Sequence, residues 1–61
     1  MMNAVEIQDH ARKLLDAHGL KALAEASEKA VNYERSGDKE QAKDWRRIAA
    51  TLEQLRGPHV S

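Results

Sequence analysis

Apolar residues recur along this chain at three- and four-residue steps, and glycine interrupts them at three places. That step is the repeat of an α-helix with one face turned toward a core. Gly19, Gly37 and the Gly57-Pro58 pair each follow such a run, where a left-handed residue closes the last turn. The pattern predicts three helices, over about 4–18, 20–36 and 39–56.

The first helix has Asn3 as its N-cap and Glu6 placed to complete a capping box. Its apolar stripe is Ala4, Ile7, Ala11, Leu14 and Leu15, with Asp9 and Lys13 spaced as a surface ion pair. His18 falls in the last turn, where the helix dipole favours a cation. The second helix carries two apolar faces. Leu20, Leu23, Ala24, Ser27, Ala30 and Val31 mark one; Ala22, Ala26 and Tyr33 mark the other. Small residues on two faces suit the middle position of a bundle. Glu25 and Lys29 are spaced to pair along it. The third helix starts from Asp38 with Gln41 as the reciprocal capping residue. Ala42, Trp45, Ile48, Ala49, Leu52 and Leu55 form its core stripe.

These elements make the fold class all-α, a three-helix bundle with the second and third helices as an antiparallel hairpin. Residues 1–57 form a single helical domain, and 58–61 form a flexible C-terminal tail. The link at Gly19 permits either a sharp corner or one long kinked helix. The kinked form would leave a face uncovered and require a second copy.

Composition narrows the function. At 41% apolar and 33% charged, the 61-residue chain is too hydrophobic for a disordered tail. Large apolar side chains are nevertheless few, so the core is thin and self-association is expected to cover what one copy exposes. No run approaches the roughly 18 apolar residues of a membrane span. The stretch from Met1 to Glu6 has neither a basic start nor an apolar run, so no secretory leader is expected and the setting is read as cytoplasmic.

The chemistry of catalysis is sparse. There is no cysteine for a thiolate nucleophile or a structural zinc site. His10 and His18 stand eight apart, too far to chelate one ion from one helix, and Glu6 with His10 lacks a third ligand. Ser27 and Ser36 carry no triad signature, and Gly19 and Gly37 are isolated rather than part of a phosphate loop. No enzyme, cofactor, metal site or small-molecule substrate is expected.

Nucleic-acid binding is the alternative. Lys39, Lys43, Arg46 and Arg47 make a partial basic stripe beside Trp45. Glu40 and Asp44 interrupt it, and Asp44 is spaced to neutralise Arg47. Ten acidic residues balance ten basic ones, so the charge excess that drives phosphate binding is missing. Trp45 itself has two readings: a core residue in register with Ile48, Leu52 and Leu55, or a partner anchor flanked by Arg46 and Arg47. Tyr33 lies across the hairpin from it. Tyr33, Trp45, Arg46 and Arg47 are therefore the candidate partner-binding residues. The expected function is a non-catalytic protein–protein interaction module, binding a second copy or another protein's helix.

Two resemblances accompany this reading. Ala30, Tyr33, Gly37, Asp38, Ala42 and Ala49 resemble one tetratricopeptide-type helical hairpin, about a third of the chain. The chain departs from that repeat with Ala26 at the early Trp position, Arg46 at a bulky aromatic position and no closing Pro. The resemblance implies peptide or protein binding. The segments Asp9-His10-Ala11-Arg12 and Asp44-Trp45-Arg46-Arg47 resemble small uncharacterised helical proteins of alphaproteobacteria, which implies a bacterial setting.

Overall fold

The computed structural model describes residues 2–55. Three helices follow one another: α1 (Ala4–His18), α2 (Lys21–Arg35) and α3 (Lys39–Leu55). They pack into an all-α three-helix bundle. Arg56, the Gly57-Pro58 stop and the tail at 58–61 lie outside the described residues.

Local chemistry sets the ends. Glu6 N–H donates to Asn3 Oδ1 at 2.8 Å, and Asn3 N–H donates to Glu6 Oε1 at 3.4 Å, so both halves of the first capping box form. At α3 only the Asp38 half forms, with Gln41 N–H donating to Asp38 Oδ1 at 3.2 Å. Between α2 and α3, Gly37 takes φ +87°. Its N–H donates to Glu34 O at 3.1 Å, and Asp38 N–H donates to Tyr33 O at 2.9 Å. This is the two-bond Schellman closure, which needs a residue free to adopt positive φ.

Gly19 makes the other connection a corner. With φ +63° and ψ −134°, it turns the chain where a side chain would be strained. A continuous helix from Ala4 to Arg35 would run about 48 Å at 1.5 Å per residue. The molecule measures only 35 × 22 × 21 Å. The chain leaves helical geometry at Gly19 and α1 packs against α2, so the two are separate helices and the single kinked helix does not form. Leu20 caps α2 with no side-chain hydrogen bond, so α2 starts one residue later than the pattern suggested, and it ends one residue earlier, at Arg35.

The buried apolar residues are Ile7 and Ala11 of α1, Ala22, Ala26 and Ala30 of α2, and Ala42, Ile48 and Leu52 of α3. Leu14, Leu15, Leu23, Trp45, Ala49 and Leu55 pack partly buried around this centre, while Ala4 of the expected stripe is exposed. α3, not α2, is the shared element: it packs most extensively on α2, next on α1, and α1 meets α2 least. The reason is size. α3 brings Ile48 and Leu52, the largest fully buried side chains, and α2 answers with three alanines four residues apart that let the axes approach.

That choice fixes which apolar face of α2 turns inward. The Ala22–Ala26 face, extended by Ala30, is the buried one. From the other face, Leu23 is half-buried and Leu20, Ala24, Ser27 and Val31 are exposed. A face bearing Leu20 and Val31 would hold α2 off the bulky side chains of α3.

Candidate interaction surface

The four expected partner-binding residues do not gather on one face. Trp45 is half-buried at a three-helix joint. His10 of α1 meets its ring edge-on with centroids 5.2 Å apart at 66°, and Lys29 Nζ of α2 lies 5.5 Å from the ring centroid. The aromatic partner of Trp45 is thus His10 rather than Tyr33, which sits half-buried near the end of α2. Arg46 points to the α2 side and forms an ion pair with Glu34. Arg47 points to the opposite side, into an open groove of about 390 Å³ between α1 and α3. Ala4, Ile7, Gln8, Ala50, Thr51 and Gln54 complete that groove.

Two of the three charge pairings expected from spacing are replaced by others. Asp44 is buried, 6% exposed, and accepts from Met2 N–H at 3.4 Å rather than pairing with Arg47. Its carboxylate lies beside the start of α1, where the positive end of the helix dipole favours an anion. Glu25 pairs not with Lys29 but with His18 Nδ1 across the Gly19 corner, at 3.2 Å. Lys29 is taken by Trp45. The Asp9–Lys13 pair forms as spaced, at 3.3 Å.

Among the described residues no three His, Cys, Asp or Glu side chains are grouped to hold a metal ion. Glu6 and His10 both border a shallow depression with Met2, Asp9 and Lys13. Glu6 is engaged in the α1 capping box and His10 against Trp45. No helix among the described residues is long and apolar enough to cross a membrane.

The surface feature that does stand out is the outer face of α2. Leu20 is 78% exposed and Val31 49%. Exposed Ala24 and Ser27 lie between them on the same line. Steps of four, three and four residues place all four within about 60° of helix arc. The inward alanines lie about 130° round the helix at the same repeat. Among the described residues, Val5, 76% exposed on α1, is the other large apolar side chain in the open. Sequence reasoning saw both faces of α2 but had no criterion for which one stays out. The missing signal was the size of the residues on α3.

Compared with known proteins, the chain matches no family model, no curated protein and no solved structure.

Proposed function

We propose that this protein is a small non-catalytic interaction module that binds a helix, acting in the bacterial cytoplasm. The carrying observation is the outer stripe of α2: apolar or small residues at heptad spacing, left exposed on a helix whose opposite face is packed. Such a stripe is an anchor pattern for a helix laid alongside. The thin core supports the same reading, since among the described residues only Ile48 and Leu52 are large and fully buried. A chain this small gains from covering further apolar surface. The nucleic-acid alternative is weaker, because Arg46 is engaged by Glu34 and Arg47 faces away from it into the α1–α3 groove.

A titration with a synthetic amphipathic helix carrying a leucine seam tests this reading. Amide shifts in the nitrogen–proton NMR spectrum are expected to move along Leu20, Ala24, Ser27 and Val31. Leu20→Asn with Val31→Asn should abolish the shifts while leaving the thermal melt nearly unchanged, as both side chains face solvent. Shifts centred elsewhere, or none at saturating peptide, would contradict it.

A further inference from the structure

We infer that the helix seated on the outer stripe of α2 is α2 of a second copy, running antiparallel across a two-fold axis. This deepens the reading given above and rests on it.

The outer stripe of α2 is self-complementary. In an antiparallel pair with heptad spacing, a-type positions face d-type positions of the other helix. Ala24 and Val31 are of the first kind, and Leu20 and Ser27 of the second. One register satisfies all four at once: Leu20 meets Val31 of the second copy, Ala24 meets Ser27, and the two-fold axis repeats both contacts. The larger side chains cover the ends and the small ones let the axes approach at the centre. Leu20 has helical backbone angles, φ −65° and ψ −19°, so it continues the stripe although it caps the helix.

Charge along the stripe favours the same antiparallel register. Lys21 and Glu28 are seven residues apart and flank the stripe on one side. Both are exposed, and neither forms an ion pair among the described residues. In the same register Lys21 lies against Glu28 of the second copy, and the symmetry makes the pair twice. On the other flank Leu23 is half-buried and Ala30 buried within the bundle, so that side sets no charge against the stripe. A parallel pair loses this match, because the flank of one helix that carries Lys21 and Glu28 would then meet the opposite flank of the other. It would also align the two helix dipoles side by side.

One helix per copy makes a small interface, so association is weak. Sedimentation equilibrium on the full chain should run from about 10 μM to about 1 mM, the range a small contact calls for. The wild-type chain is expected to pass from monomer to dimer in this range. Lys21→Glu places like charges together twice and should weaken dimerisation roughly tenfold. Lys21→Glu combined with Glu28→Lys exchanges the charges and should restore it to within about threefold. Circular dichroism melts confirm that each variant folds. Lys21 is in the first turn of α2, where an acidic residue suits the dipole, so Lys21→Glu should fold.

A chain that stays monomeric throughout overturns the inference, as does a dimer that ignores Lys21→Glu or is not rescued by the double exchange. None of these outcomes touches the helix-binding reading itself, which the peptide titration decides.

Discussion

Leu52→Ala is expected to leave the chain largely unfolded at 25 °C. Leu52 is fully buried on α3 and belongs to the cluster that Ile7, Ala11, Ala22, Ala26 and Ile48 build from all three helices. Truncating a buried leucine costs about 2–5 kcal/mol, because apolar contact is lost and the cavity closes only in part. A single core below about 70–80 residues rarely supplies more than 3–5 kcal/mol in total. The one substitution therefore removes most of the margin. Three of its five buried neighbours in that cluster are alanines, which have no side chain long enough to move into the void. Urea denaturation followed by Trp45 fluorescence measures the loss. A midpoint within a few tenths molar of wild type would show that Leu52 is not a central core residue. Val31→Ala is the control: half-exposed on α2, it should shift the midpoint little.

Ala26→Leu has the second largest expected effect, in the opposite sense of volume. Ala26 is fully buried where α2 meets the bulky side chains of α3. Three added heavy atoms must push the two helices apart or force side chains from their rotamers, at a cost of about 1–3 kcal/mol. In a domain of this size each 1 kcal/mol lowers Tm by about 4–8 °C. Ala24→Leu, two residues away on the outer stripe, should leave the monomer's Tm nearly unchanged. Leucine is almost as good a helix former as alanine, so propensity does not explain a difference between the two. Equal melting shifts for both variants would contradict the assignment of the inner face.

The parts of this fold that could be read from the sequence are those decided within a few residues. Asn3 and Glu6 satisfy each other's backbone groups three residues apart, so the start of α1 was legible. Gly37 closes α2 with bonds from its own neighbours. At Gly19 the same residue type leaves two paths open, and its non-helical angles, φ +63° and ψ −134°, make the corner. The faces of α2 were visible as periodicity, but periodicity carries no information about the neighbour. Which face turns inward depends on Ile48 and Leu52, some twenty residues on. The burial of Asp44 is of the same kind, as its hydrogen-bond donor is the distant Met2. Lys29 illustrates competition: its helical spacing favours Glu25, yet Trp45 and His18 draw the two apart. The candidate site follows this division. Residue type alone draws Trp45, Arg46 and Arg47 together, and the fold sends them to a three-helix joint and two different sides.

α2 is two-faced, with one alanine row sealed against the bundle and one stripe open to solvent. The absence of cysteine makes that directly measurable, since any thiol introduced is the single one in the chain. Ala24→Cys and Ala26→Cys would each be reacted with a maleimide at low protein concentration, below the range of self-association. The thiol introduced by Ala24→Cys should react at close to the rate of the unfolded chain. That introduced by Ala26→Cys should be slowed by roughly tenfold to a thousandfold, since it becomes accessible only through opening of the fold. Equal rates, or protection at 24 and reactivity at 26, would contradict the account.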